Sequence, residues 1–312
     1  YLGHSGAYDE QGRLLKLGCI RLTPVDFTLG GAGFSQELNP ATGTITLAQG
    51  DFKATLWFAG ETLVFEANSS APIAFDVAMG SWRDKRREGL LLDMFGTAAV
   101  IPDHIKADEN GFVWFHRNAD EKLNVMEMAK SRGIEESAVH DATTRRVFGA
   151  AVAVGGGISK PVESEVKWQF WEGKAWTGRT QALKTHRITM RLGAALDASP
   201  EKWAAEAKGL LAPAALKAAA DEERKRWDDF WSRSHVIINR PSAIGDRQSN
   251  DPGWLIGRNY ALFRYMLACN RDGEIPLLFN GGIFTTDNVP GRIKGNNNDE
   301  LPIAKGGPTT PD

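Results

Sequence analysis

The chain has 312 residues, of which 42% are hydrophobic and 24% charged, an ordinary composition for a folded protein. The length is sufficient for two domains with cores of their own. A net charge of −2 and a pI of about 6.4 provide no electrostatic basis for binding nucleic acid or an anionic membrane surface. No apolar run approaches the roughly 20 residues of a membrane-spanning helix.

Residues 1 to about 195 contain repeated segments in which apolar and polar side chains alternate with a period of two. The clearest segments are residues 52–58, 73–79, 148–154, 165–170 and 187–192. This period indicates the strands of half-buried antiparallel sheets. Turn signals such as Asn39-Pro40 and Asn110-Gly111 separate the segments. Many strands without helical patterns between them predict a large β-sandwich.

The pattern changes to helical near Ser199. Ser199-Pro200-Glu201 combines a hydroxyl cap, a proline at the first helical position and an acid near the positive end of the helix dipole. We therefore predict one helix over 200–211 and a second from Pro213 to about Ser232. The predicted packing face of the second helix consists of Leu216, Ala220, Trp227 and Trp231. Its charged run, residues 221–226, is predicted to be mostly a solvated face.

The stretch from Trp254 to Asp287 begins with a third predicted helix of sixteen residues. Its main apolar stripe is Ile256, Tyr260, Phe263 and Leu267, and further apolar residues cover much of the remaining circumference. Such a helix is normally buried inside a larger protein. A short apolar run then leads to a glycine-bearing loop that contains Asn280 and Asp287. This loop either places polar side chains at the mouth of a cavity or is simply the exit from a core.

No local motif identifies a cofactor, a metal or a nucleophile. The glycine runs 155–157 and 30–33 lack the following helix and the Lys-Ser/Thr of a phosphate-binding loop, and residues 155–157 are predicted to form a hairpin turn. The six histidines show no metal-ligand spacing, although a site assembled from distant residues stays open. His186 lies on the apolar side of its segment and is predicted to belong to the core.

Carboxylates and cysteines are present, but their sequence positions do not define a site. Glu163 and Glu165 share one face of a strand that is predicted to be solvated. Asp299-Glu300, in a polar segment, is a candidate for substrate contact, as is the aspartate of the glycine-bearing loop. Cys19 and Cys269 are predicted to be buried free thiols, with a disulfide or a nucleophilic role as the alternatives.

Three stretches carry a resemblance to a known family. They are the opening YLGHSGAYDE with GRLLKLG, the segment WDDFWSRS, and the stretch from RNY through LAC to IPLLFNG. With them the chain resembles bacterial glycoside hydrolases that have an N-terminal β-sandwich, a helical linker and a catalytic (α/α)6 barrel. The likeness is to the inverting α-L-fucosidases and their uncharacterised relatives. The segment Ile283–Asp287 departs from the fucosidase pattern, so fucose specificity is not implied.

The resemblance implies a mostly β protein with α-helices, in which a large antiparallel β-sandwich precedes a helical linker and the start of an (α/α)6 barrel. The implied domains are the sandwich at 1–197, the linker at 198–240 and the incomplete barrel at 241–312. The general acid and base of such enzymes lie deeper in the barrel, and we expect them beyond Asp312. No catalytic residue is therefore assigned, and Asn280 and Asp287 are the predicted substrate-binding residues.

The expected function is that of an N-terminal part of a glycoside hydrolase that acts on plant or host glycans and is inactive alone. Its expected partner is an oligosaccharide or polysaccharide, without nucleic acid, membrane, cofactor or metal. The family implies a secreted or periplasmic protein. The alternative is a non-catalytic carbohydrate-binding or scaffold sandwich module. The sequence does not specify the sugar, the linkage or the oligomeric state.

Overall fold

The computed structural model describes residues 1–9, 12, 14–92, 96–119, 129–139, 142–168, 171–196, 198–233 and 252–269. Within these ranges fifteen strands precede three α-helices. The strands are β1 (Leu2–Tyr8), β2 (Leu14–Pro24), β3 (Ser35–Asn39), β4 (Thr44–Gln49), β5 (Phe52–Ala59), β6 (Thr62–Ile73), β7 (Phe75–Ser81), β8 (Arg87–Leu92), β9 (Gly96–Val100), β10 (His104–Asp108), β11 (Gly111–Arg117), β12 (Val147–Val154), β13 (Val162–Trp168), β14 (Trp171–Arg179) and β15 (Leu183–Ala195). The helices are α1 (Pro200–Gly209), α2 (Pro213–Arg233) and α3 (Pro252–Cys269), and a short 3₁₀ helix covers Glu136–Ala138.

The described strands form two large antiparallel sheets, which confirms the predicted β-sandwich. One sheet has the order β1-β2-β7-β14-β13, and the other has the order β10-β11-β12-β15-β6-β5-β4-β3. Strands β8 and β9 form a separate hairpin. The central pairings join distant segments, since β7 lies beside β14 and β6 lies beside β15.

The main core lies between the two sheets and contains side chains from strands of both. Phe112 and Trp114 of β11 and Phe148 of β12 are fully buried there against residues of the other sheet such as Phe75. The indole N–H of Trp114 also donates to the carbonyl oxygen of Leu17, at 2.8 Å. The alternation predicted for residues 148–154 and 187–192 is confirmed, because their apolar side chains face this core.

The outer face of the eight-stranded sheet is covered by α1 and α2. Trp203 of α1 packs edge-on against Phe115 with their ring centroids 6.0 Å apart, and Leu216 of α2 packs against Val64. The central strand β12 is therefore buried on both faces, and the half-buried sheet expected from the sequence is wrong at this strand. The predicted start of α1 is confirmed, because Ser199 Oγ accepts from the Lys202 N–H at 3.2 Å.

Three local predictions have different outcomes. His186 is 6% exposed and belongs to the core, as predicted. Residues 155–157 form a turn, but the turn connects β12 of one sheet to β13 of the other, so the predicted hairpin is wrong. Cys19 and Cys269 are free, yet Cys19 is only half-buried and Cys269 is exposed. The prediction of two buried thiols is therefore wrong; Cys269 is the last residue of α3, where the helix ends.

Helix α3 forms where the sequence predicts a helix, but it is not enclosed. The predicted core stripe is exposed at Ile256, Tyr260, Phe263 and Leu267, and Ala268 is the buried residue of the helix. The packed side is a different one, which faces α2 through Tyr265 and Ala268. The periodicity thus located the helix and misassigned the side that packs in the described part of the chain.

The boundaries between sandwich, linker and barrel stay predictions. Strand β15 ends at Ala195 and α1 begins at Pro200. Most of 241–312 lies outside the described residues, so the barrel itself stays a prediction as well. Among the described helices, none has both the length and the apolar character needed to cross a bilayer.

Candidate functional site

A cavity of about 480 Å³ lies where the sandwich meets α2 and α3. It is lined by Gly3, His4, Ser5, Thr42, Gly43, Phe58, Gly60, Glu61, Leu192, Glu223, Arg226, Trp227, Tyr265 and Cys269. One wall therefore comes from strands β1, β5 and β15 and from the β3–β4 and β5–β6 turns, and the other wall comes from α2 and α3. Its volume is within the range of cavities that hold small ligands.

On the sandwich wall, the carboxylate of Glu61 is held by two side chains from different strands. His4 Nε2 of β1 lies 2.9 Å from Glu61 Oε1, and Arg191 Nη2 of β15 donates to Glu61 Oε2 at 2.5 Å. The N–H of Gly6 donates to His4 Nδ1 at 3.0 Å. Nδ1 is therefore an acceptor without a proton, and Nε2 carries the proton that is donated to Glu61.

This arrangement favours binding over proton transfer. Both ring nitrogens of His4 are occupied, so the imidazole has none left to activate the hydroxyl of Ser5 as a nucleophile. The hydrogen bond from His4 lowers the pKa of the Glu61 carboxyl, partial burial acts in the opposite direction, and the charge of Arg191 lowers it further. Glu61 is thus ionised at neutral pH and is an acceptor, since a general acid needs a raised pKa.

On the helix wall, Arg226 connects α2 to α3. Its guanidinium donates to both carboxylate oxygens of Glu223, with Nε 3.1 Å from Oε2, and Nη1 donates to the Ala268 carbonyl oxygen at 3.3 Å. Trp227 stacks on Tyr265, with centroids 5.1 Å apart and planes 23° apart, and the Arg226 guanidinium lies 4.7 Å from the Trp227 ring centroid. Trp227 is only 4% exposed, so its rings hold the helices together and are closed to a ligand.

The hydroxyl of Tyr265 and the thiol of Cys269 stay protonated at neutral pH. Burial, followed by interaction with Cys269, raises the pKa of Tyr265. Partial burial of the thiol also raises the pKa of Cys269, although the residue as a whole is exposed. A protonated thiol is a poor nucleophile. Within the described residues, no group of three His, Cys, Asp or Glu side chains is arranged to hold a metal ion.

The residues predicted from the sequence to bind substrate lie elsewhere in the chain. Asn280, Asp287 and Asp299-Glu300 all fall outside the described residues, and their roles stay predictions. The solvated face predicted for Glu163 and Glu165 is consistent with the structure, where Glu163 pairs with Lys174 at the surface.

The sequence interpretation missed the polar residues of the cavity. Glu223 and Arg226 belong to a charged run that was predicted to be mostly solvated. Their spacing of three residues, next to the packing residue Trp227, is the signal that could have indicated an ion pair near the packed side of α2. His4 lies in the opening stretch that carries the resemblance, but the resemblance assigns no role to this residue. Nothing local marked Glu61, because its partner His4 is 57 residues away.

The fold and the cavity define a class: an antiparallel two-sheet β-sandwich with helices on one face and a polar cavity at the joint. The family model described as "Domain of unknown function (DUF5703)" matches residues 1–236, so the chain belongs to this family. A search of curated proteins gives no match.

A solved structure described as "Putative kojibiose phosphorylase from human microbiome" is similar to the chain at 9% sequence identity, with a TM-score of 0.40. The match covers 82% of this chain and 32% of that protein. The chain therefore spans about a third of the length of the phosphorylase.

Proposed function

We propose that the chain is the N-terminal part of a glycoside hydrolase, in which the sandwich, α1 and α2 support a catalytic (α/α)6 barrel that begins at α3. The observation that carries this proposal is the apolar stripe of α3. Ile256 is 60% exposed, Phe263 46% and Leu267 41%. Apolar side chains on both the packed side and the open side are typical of a helix that lies between two layers of a protein.

Further helices of the same protein are the proposed partner of this stripe. In a barrel of helical hairpins each helix contacts neighbours on more than one side, so the first helix needs a second apolar face. The family resemblance assigns the same architecture independently of the structure, from the sequences WDDFWSRS and RNY through IPLLFNG. The exposed stripe and the resemblance both support a helical domain that begins at α3.

The chemistry of the whole enzyme requires two carboxyl groups on either side of the glycosidic bond. In an inverting enzyme they lie about 6.5–9.5 Å apart, which leaves room for the attacking water. We propose that these groups follow Asp312, and that Asn280 and Asp287 contribute hydrogen bonds to the sugar. The proposed secreted or periplasmic location rests only on the resemblance to the glycoside hydrolases.

The test is an assay of the full-length protein on a panel of aryl glycosides and oligosaccharides. Hydrolysis of at least one substrate is the expected result. Asn280→Ala should lower kcat/KM by about tenfold or more, which corresponds to about 1.4 kcal/mol for one lost hydrogen bond. Asn68→Ala, at an exposed position of β6, is the matched control and should leave kcat/KM unchanged. Equal kinetics for both folded variants would remove Asn280 from the site.

A non-catalytic carbohydrate-binding module is the second candidate. It is favoured by the cavity itself, where Glu61 is held as an ionised acceptor and His4 has no free nitrogen for proton transfer. Glycan binding by the full-length protein without hydrolysis of any substrate in the panel would select this candidate over the hydrolase.

A further inference from the structure

The cavity presents a fixed hydrogen-bond acceptor. The Glu61 side chain is 49% exposed while both of its oxygens are held, Oε1 by His4 and Oε2 by Arg191. A carboxylate oxygen accepts about two hydrogen bonds, so each oxygen retains capacity for a donor from a ligand. Because the partners come from two different strands, the carboxylate is oriented before a ligand arrives, and little entropy is lost on binding.

The charges of the cavity wall are balanced. Glu61 faces Arg191, and Glu223 faces Arg226. The geometry of His4 places its single ring proton on Nε2, and Tyr265 stays protonated. A charged ligand would lose its hydration here without gaining an uncompensated opposite charge, which is unfavourable. The cavity therefore suits an uncharged ligand that carries hydroxyl donors.

One aromatic ring lies open beside these polar groups. Phe58 is 43% exposed and lines the cavity, whereas Phe52 and Ala54 on the same side of β5 are buried in the core. An exposed aromatic ring next to fixed acceptors matches the two surfaces of a pyranose, whose C–H face is apolar and whose rim carries hydroxyls. The aromatic face of Trp227 is not available for this role, because Tyr265 and Arg226 pack on it.

We propose that this cavity binds an uncharged pyranose unit of a glycan, with Glu61 accepting hydrogen bonds from ring hydroxyls and Phe58 covering one face of the ring. The choice of a sugar over another hydroxyl-rich molecule rests on the proposed function. The site itself rests on the geometry of the two walls. The bound sugar contacts the sandwich on one side and helices α2 and α3 on the other.

The experiment is calorimetric titration of the full-length protein with the methyl pyranosides of D-glucose, D-galactose, D-mannose and L-fucose, and with methyl D-glucuronide as the charged comparator. Glu61→Gln removes the charge at constant shape, and Phe58→Ala removes the ring. Glu66→Gln is the matched control, because Glu66 also faces an arginine on the same sheet, with Arg187 Nε 3.4 Å away, but lies outside the cavity.

The expected result is binding of at least one neutral pyranoside, weakened tenfold or more by Glu61→Gln and by Phe58→Ala and unchanged by Glu66→Gln. The glucuronide should bind at least tenfold more weakly. Circular dichroism checks the fold of each variant, and Phe58→Ala decides if Glu61→Gln does not fold. The proposal is overturned if no neutral pyranoside binds, if the cavity variants bind like the control, or if the glucuronide binds equally well.

Hydrolysis of aryl glycosides, measured on the same samples, separates this proposal from the proposed function. If the protein hydrolyses a substrate and the cavity variants bind sugar as well as the wild type, the proposed sugar site is overturned and the proposed hydrolase function is retained. If sugar binding depends on Glu61 and Phe58 but no substrate is hydrolysed, the proposed sugar site is supported and the proposed hydrolase function is overturned.

Discussion

At the scale of single residues, Asp103 is a buried carboxylate outside the cavity that is held by several side chains. Its side chain is fully buried and accepts from Arg83 Nε at 2.8 Å and from Ser81 Oγ at 2.7 Å, and His116 Nδ1 lies 3.1 Å away. Asp103→Asn removes the negative charge that faces a buried guanidinium. We expect it to lower the free energy of unfolding by about 3–5 kcal/mol, measured by urea unfolding.

The matched control for this prediction is Asp76→Asn. Asp76 also accepts two hydrogen bonds from an arginine, Arg179, but the side chains are 32% and 55% exposed. Exposed pairs contribute little because water screens them, so the expected loss is below about 1 kcal/mol. Equal losses in the two variants would show that burial does not determine the strength of the Asp103 pair.

The same residue predicts a pH dependence. Burial alone would raise the pKa of Asp103, but the charge of Arg83 and the hydrogen bond with His116 outweigh burial and lower it. The folded-state pKa is then below the unfolded value of about 3.9. The stabilisation is complete above that value and is lost as pH falls through the folded-state pKa. Urea unfolding below about pH 4 should show a steeper loss of stability for the wild type than for Asp103→Asn; parallel curves would contradict this assignment.

At the scale of elements, the turn between β3 and β4 packs at Gly43 against Trp227 of α2 and Tyr265 of α3. Its φ of +66° favours glycine, and a Cβ atom there would lie 3.3 Å from Trp227 Nε1 and 3.5 Å from the Tyr265 hydroxyl. Trp227 cannot move away easily, because it is buried and stacked on Tyr265. We expect Gly43→Ala to combine backbone strain with overpacking, at a total of about 2–4 kcal/mol by urea unfolding.

Gly50→Ala separates the two contributions. Gly50 has nearly the same φ, +61°, but no atom lies within 4 Å of its added Cβ. This variant should therefore lose only the backbone contribution, about 1–2 kcal/mol. If Gly43→Ala costs no more than Gly50→Ala, the packing of the turn against Trp227 is not a tight contact.

The elements also show what the sequence could predict. The start of α1 was predictable because its signal is local: Ser199 bonds to the N–H of a residue three positions away. The cavity was not, because Glu61 is 57 residues from His4 and 130 residues from Arg191. A charged run on a helix does not reveal which of its members face a second helix, and for this reason the run that contains Arg226 was predicted to be mostly solvated.

At the scale of the whole molecule, alternation predicted the sandwich but not the order of its strands. The period of two indicates which side chains share a face, and it contains no information on which strand lies next to which. The pairing of Gly178 with Val77 joins residues 101 positions apart, as 178 − 77 shows. The burial of β12 on both faces could not be predicted from its own sequence pattern either. The residues that cover its outer face, such as Trp203, belong to a helix that follows about 50 residues later in the chain.

The exposed stripe of α3 predicts a difference in stability that depends on whether further helices of the same protein cover it. Ile256 is 60% exposed and Val162, on the sheet edge at β13, is 68% exposed. If a helical domain covers α3, Ile256→Ala in the full-length protein should cost about 2–5 kcal/mol, as for a core residue. Val162→Ala should stay within about 0.5 kcal/mol, as for a surface residue. Urea unfolding of both variants measures the difference, and two small values would mean that α3 faces solvent and that the proposed barrel does not begin there.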